Sequence, residues 1–319
     1  MRRVKDERGA VAVVVALVMV PLIAFAAISL DVAGMWWERQ QLQTAADAGA
    51  LAIAQDCGRG PTCGTPSQTA QSMVTENSRS VGDTATVLTP GLSPTTGRVS
   101  VRTNGVQRHL FAPILGVNST ALSAQATVAW GGPSGGTAML PLAFSWCEWK
   151  KQTGGGLPSS TVAQTIYLTK SSQSDATTPD CTGPSGNIVP GGFGWLTVSS
   201  GSCGTKTVIG NIVASDPGNS VPSSCSTTDF AKLQNKIALL PIFDAYAGTG
   251  SGATYRLNGY AAFQLTGYHF GGQYGWNDPC NGNARCVRGY FTRFVTLDEA
   301  FTYSATAPTL GASVVRLTS

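Results

Sequence analysis

Covalent chemistry in this 319-residue chain rests on eight cysteines: Cys57, Cys63, Cys147, Cys181, Cys203, Cys225, Cys280 and Cys286. An even set of thiols suits disulfides in an oxidising compartment. Short loops nominate Cys57–Cys63 and Cys280–Cys286 as pairs, which leaves the middle four to join among themselves. Metal chemistry has little to work with, because no Cys-x2-Cys pair occurs and His109 and His269 are the two histidines. The carboxylates Asp278, Asp298 and Glu299 lack a calcium-loop signature and read as solvated. No Gly-x-Ser-x-Gly elbow or His-Glu-x-x-His helix is present. Gly248-Thr-Gly-Ser-Gly252 is not followed by the Lys-Ser/Thr of a phosphate loop, so it reads as a turn. His269 lies among Tyr268, Phe270, Tyr274 and Trp276, which suits either a sugar-stacking face or a strand end packed under a loop. His109 precedes an apolar stretch and reads as a surface or core residue rather than a ligand. The expectation is no catalytic residue, no cofactor and no metal.

The elements that would position these residues begin with Ala10 to Leu30, a run with no charged side chain. At about 1.5 Å per residue such a helix covers the ~30 Å core of a bilayer, and Pro21 within it is tolerated better in lipid than in water. A cleaved secretory signal has a shorter apolar core and a better small-residue site than Ala27-Ile28-Ser29 offers. A buried core helix of this length has no reason to be apolar all round. An uncleaved signal anchor is therefore expected. Arg2, Arg3, Lys5 and Arg8 before the span keep residues 1–9 cytoplasmic and send the remainder out. Trp36 and Trp37 fall where an interfacial aromatic belt lies. All eight cysteines come after the span, in agreement with export.

Charged residues make up 12% of the chain, about half the usual share. Half of the net charge of +4 sits in the tail, and no basic run occurs beyond it. A nucleic-acid partner is thereby excluded, since phosphate tracking needs a clustered basic patch.

Asp31 to Gln55 has no proline and is rich in helix formers. It predicts a helix continuous with the span, about 45 residues in all, ended by the Gly and Pro between Cys57 and Cys63. Ala46, Gly49, Ala50 and Ile53 recur at helical spacing as a narrow small-residue stripe suited to close helix packing, whereas Asp47 faces elsewhere. Glu7-Arg8-Gly9-Ala10-Val11, Leu30-Asp31-Val32-Ala33 and Arg39-Gln40-Gln41-Leu42-Gln43-Thr44-Ala45-Ala46-Asp47-Ala48-Gly49-Ala50-Leu51-Ala52 together resemble the N-terminal module of TadE/TadG-like Flp pilus-assembly proteins. The resemblance covers about 45 residues and implies a membrane-anchored component of tight-adherence pilus machinery. Asp31 and Asp47 fall on the family's aspartates. Val14 stands where substrates of the prepilin peptidase carry Glu, so the likeness does not extend to processing after Gly9, and the TadG-like type fits best. Asp31 then either hydrogen-bonds a partner subunit or is an ordinary interfacial residue.

Beyond the helix, Ser67 to Arg79 and Gln107 to Leu115 predict short helices, and Gly97 to Thr103 and Leu122 to Trp130 alternate as strands do. His109 to Asn118 is also similar to the segment beyond the helix in TadG-like proteins. Gly131-Gly-Pro-Ser-Gly-Gly136 reads as a linker. Short apolar runs after it predict a β domain, with strands over Met139–Trp146, Thr165–Thr169, Trp195–Val198, Thr207–Val213, Ile237–Phe243, Tyr255–Tyr268, Tyr290–Leu297 and Ala312–Leu317. Lys170 to Asn187 reads as an exposed loop held by Cys181. Leu140–Cys147 and Cys286–Val295 resemble the C-terminal halves of actinobacterial TadG-like proteins.

The expected class is α+β: a cytoplasmic tail (1–9), a transmembrane helix (10–30), a Tad-like helix with a small α+β unit (31–130) and an extracytoplasmic, disulfide-bonded β domain (131–319). The functional expectation is a structural, non-enzymatic part of Flp pilus assembly in the cell membrane. Its partners would be the lipid bilayer and other pilus proteins, or further copies met through the helix stripe. The alternative is an anchored adhesin or carbohydrate-binding protein, with the aromatics between Tyr255 and Trp276 as its face. A hydrolase is disfavoured by the lack of a nucleophile motif.

Overall fold

The computed structural model describes residues 8–319 apart from 89–91, 93–95, 139, 170–176, 217, 219, 250–251 and 319. The basic residues Arg2, Arg3 and Lys5, the strand position Met139, the start of the Lys170 loop and the middle of Gly248–Gly252 lie outside the described residues.

The apolar run and the Ala/Gln-rich segment form one helix, α1 (Arg8–Arg59), 52 residues long with Pro21 inside it. Its two halves meet different surroundings. Leu17 and Phe25 are each 70% exposed, whereas Leu42, Ala46, Ala50 and Ile53 are fully buried. The body of the protein thus closes around the second half and leaves the first bare. Gly60 and Pro61 stop the helix, and a Cys57–Cys63 disulfide closes the turn behind it. A second helix, α2 (Pro66–Asn77), starts with Pro at its first position and packs on α1 through Ala70 and Val74.

The strands, numbered in chain order, fall among the described residues into two large sheets and a small one. The seven-stranded sheet holds β1 (Thr84–Val87), β2 (Gly97–Arg108), β3 (Ser119–Ala138), β9 (Thr205–Val208), β15 (Phe294–Thr296), β16 (Thr302–Ser304) and β17 (Ala312–Leu317). The eight-stranded sheet holds β4 (Leu142–Ser145), β5 (Gln164–Tyr167), β8 (Phe193–Trp195), β10 (Ile212–Ala214), β11 (Ile237–Ala247), β12 (Thr254–His269), β13 (Gly275–Trp276) and β14 (Cys286–Thr292). β6 (Cys181–Thr182) and β7 (Ile188–Val189) pair alone. Two short helices, α3 (Trp146–Thr153) and α4 (Thr227–Ala231), join the second sheet's core through Trp149 and Phe230.

Strand alternation builds the layers. On β17, Val315 joins the cluster under α1, while Ala312 and Val314 face the opposite way, into a cluster with Leu239 and Tyr260 of the other sheet. The helices therefore cover one face of the seven-stranded sheet and the eight-stranded sheet covers the other. The α+β class holds.

Three local readings are corrected. The Gly131–Gly136 linker is instead part of β3, paired to β17, β16 and β9. Its glycines reflect close approach, not flexibility: a Cβ on Gly136 would lie 2.4 Å from the Phe301 ring. One sheet thus spans the sequence boundary drawn at 130. The Gln107–Leu115 helix is instead the end of β2 followed by a 3-10 turn at Ala112–Leu115. Gln107 and Arg108 are held by pairing with Thr120 and Ser119, and Gly116, at φ 88°, ends the turn. Thr207–Val213 and Tyr290–Leu297 each divide between the two sheets, because the chain turns at Gly210 and at Arg293.

Between the sheets, Tyr260 is fully buried and its hydroxyl donates to the Thr207 carbonyl at 2.6 Å. Burial pushes its ionisation up to about 12, the Thr207 hydrogen bond opposing. An unfolded tyrosine ionises near 10, so the folded chain holds a proton that the unfolded chain has lost. Stability is expected to fall by about 2–3 kcal/mol as pH rises from ~10 to ~12. Urea unfolding across that range, with Tyr260→Phe flattening the slope, checks this.

Candidate functional site: the docked helix and its membrane-side end

Ala46, Gly49, Ala50 and Ile53 form a stripe because residues three and four apart share a helix face. The stripe is buried under α2, β2, β3 and β17, against Ala70, Val99, Val101, Ala126, Val128, Trp130 and Val315. This redirects the expectation of self-association through these residues: the surface they meet belongs to the same chain. A Cβ on Gly49 would sit 3.5 Å from Ala70 Cα and Val101 Cγ1, ordinary contact distance. Gly49→Ala is therefore expected to be tolerated, with a gain of up to ~1 kcal/mol from helix propensity. Gly49→Leu is expected to lose about 2–3 kcal/mol by overpacking. Thermal unfolding of both variants tests the pair, and equal behaviour would contradict the packing.

Polar tethers flank the stripe. The buried Thr103 hydroxyl donates to the Leu42 carbonyl at 2.9 Å, and the Ser313 hydroxyl to the Gly58 carbonyl at 3.2 Å. Gln41 Oε1 accepts from the Arg79 amide at 3.2 Å and Glu38 Oε2 from the Ser80 hydroxyl at 2.9 Å. Burial raises the Glu38 carboxyl above its usual value, the Ser80 hydroxyl opposing and neighbouring Asp83 adding to the rise. Asp47 accepts from Gln43 one turn earlier, at 2.9 Å.

Asp31 closes the series at the end of the apolar run. Its carboxylate accepts the backbone N–H groups of Leu110 and Ala112 at 2.7 Å each and of Phe111 at 3.1 Å. Burial opposes its charge, but these donors, with His109 nearby, more than offset that and hold the carboxyl below its ordinary range. The carboxylate is engaged inside the chain. The tip of the β2–β3 hairpin is thereby pinned to α1 where the helix leaves its bare half. Trp36 and Trp37, a turn or two further on, are 66% and 57% exposed.

The remaining candidates are structural in setting. Disulfides join Cys57–Cys63, Cys147–Cys181, Cys203–Cys225 and Cys280–Cys286, and no cysteine is free. His109 Nε2 meets the Thr120 hydroxyl at 2.8 Å, and His269 Nδ1 meets Asp278 Oδ1 at 2.9 Å. The aromatic face of the adhesin alternative is corrected. Tyr255, Tyr260, Tyr268 and Phe270 are all under 8% exposed, and Tyr268 stacks on Phe270 inside the core. Tyr274 and Trp276 pack against the same core. Among the described residues no group of three His, Cys, Asp or Glu side chains is placed to hold a metal ion.

Sequence reasoning missed the Thr103 and Ser313 tethers and the pairing of Asp31 with the hairpin tip. One signal was available: LFAPILGV, apolar and Pro-containing, lies between two alternating stretches in the manner of a hairpin connection.

These features define a disulfide-bonded β body carried on a helix long and apolar enough to cross a membrane. Residues 9–56 match the family described as Putative Flp pilus-assembly TadE/G-like, so the docked helix is similar to the module of that family. No curated protein and no solved structure matches the chain.

Proposed function

We propose that this chain is an accessory or minor structural component of the Tad pilus machinery, anchored once in the cell membrane with residues 1–9 in the cytoplasm. Its TadG-like helix holds the β body outside the cell, and the chain acts by contact, not by catalysis. One observation carries the reading: in the Tad-matching segment a single helix is bare and apolar at one end and locked into the body at the other. The disulfides suit the oxidising side of the membrane. Because the stripe on α1 is occupied within the chain, contacts with other pilus proteins fall to the bare half of α1 and the outer surface of the body.

The test is affinity recovery of the full chain from native membranes by a C-terminal tag, with mass spectrometry and pilus counts in a deletion strain. Recovery of other Flp pilus-assembly proteins and loss of pili on deletion are expected. A chain recovered alone, from a strain that still makes normal pili, would overturn the proposal.

A further inference from the structure

The hairpin tip between β2 and β3 carries eight successive residues, Leu110 to Val117, with no polar side chain. It is also turned outward. Ile114 is 86% exposed, Leu110 79% and Leu115 76%, in a chain whose other apolar side chains outside α1 mostly lie in cores. The tip stands beside the outer end of the bare helix, where Phe111, Ile114 and Leu115 form one wall of an apolar groove and Ala24, Ile28 and Val32 the other. Ala24 lies six residues inside the end of the apolar run, about 9 Å along the helix axis.

Most backbone N–H groups of the tip are taken up within the chain. Asn118 and the Asp31 carboxylate take the N–H groups of residues 109–112, and Pro113 has none. Those of Ile114, Gly116 and Val117 go to carbonyls of the same turn. Unpaired N–H groups would oppose entry into the interface of a bilayer, and those named here are paired.

We propose that this tip is a second membrane contact: an apolar wedge that enters the outer leaflet alongside α1 and rests on acyl chains. The inference rests on the reading of residues 10–30 as a membrane span. Lipid is favoured over a partner helix because the exposed side chains are continuous with the bare half of α1 at the same height, and because the depth of about 9 Å matches that of interfacial apolar elements. Asp31, at the rim, holds wedge and span in register.

The experiment places a diazirine-bearing amino acid at position 25, 114 or 297 of the full chain, in vesicles of phosphatidylcholine and phosphatidylglycerol. Phe25 reports the span, and Leu297, near the far end of α1 and half-exposed, reports the distant body. Position 114 is so exposed that the probe leaves folding intact. After irradiation, lipid adducts at 114 are expected in yield comparable to that at 25, with background at 297. Lipid adducts at 25 with only solvent quenching at 114 would overturn the wedge and leave the span standing. Cross-links from 114 to a second copy or another protein would overturn it in favour of a protein partner. No lipid adduct at 25 would remove the span and the wedge together.

Discussion

Trp130→Ala is expected to destabilise the body by about 3–5 kcal/mol, the range for removing a fully buried large aromatic. Trp130 is 1% exposed at the centre of the cluster that joins the α1 stripe to β2, β3 and β17. Its ring lies against Gly97 on the neighbouring strand, where an added Cβ would come within 2.6 Å of the indole. That fit leaves no side chain ready to fill the void. Loss of the indole should loosen the docking of α1 and α2 before it disturbs the core around Phe144, Phe263 and Phe291 in the other sheet. Limited proteolysis should accordingly cut first near residues 57–66, and chemical unfolding should show the lowered midpoint. A loss below about 1 kcal/mol would mean that the helix is held chiefly by its polar tethers.

Removal of the Cys147–Cys181 disulfide, as Cys147→Ala with Cys181→Ala, is expected to cost about 4 kcal/mol. This bond closes a loop of 34 residues, against 6 for Cys57–Cys63. Loop-closure entropy gives about 4 kcal/mol for the longer loop and ~2 for the shorter. Cys147 is also buried on the first turn of α3, beside Glu148, whose carboxylate accepts from the Gly192 amide and the Thr178 hydroxyl. Freed of its bond, that turn would also lose alignment with these partners. Urea unfolding of both double variants checks the order. A smaller loss for the 147–181 pair than for the 57–63 pair would contradict loop closure as the main source of the stabilisation.

What was legible in the sequence is what short-range pattern determines. The apolar run and the Ala/Gln segment specified α1 because a helix closes its hydrogen bonds within four residues. The alternation of Ala312–Leu317 matched β17 at both ends, because that strand presents one face to the helices and the other to the second sheet. The motif over Glu7–Ala52, all but its first two residues, fell inside the segment that matches the Tad family. Other features were invisible for a physical reason. Asp31 and Leu110 are 79 residues apart, and nothing local marks a carboxylate as the cap for a distant turn. Glycines at 131–136 carry the same letters whether they give freedom or admit a phenyl ring, and only the packed neighbour decides. The stripe on α1 was read from residue type as an interface with similar helices and packs instead within the chain, because residue type does not say whose surface it meets.

The continuity of α1 has a mechanical consequence. A body on a flexible leader tumbles above a membrane and pays for every encounter with the entropy of being oriented. Here no hinge separates the apolar run from the body, since the docking begins at Asp31, the first residue beyond it. In a bilayer the body is left with drift in the plane and spin about the membrane normal, within the ordinary tilt of a spanning helix. Neighbours in the same sheet of lipid therefore meet it at a fixed height and always on its flanks. One residue inserted between Asp31 and Gly58 would turn everything beyond it by about 100° and throw the tethers out of phase, whereas one inserted before Ala24 would leave the tethers and the groove in place and change only the length of the bare helix.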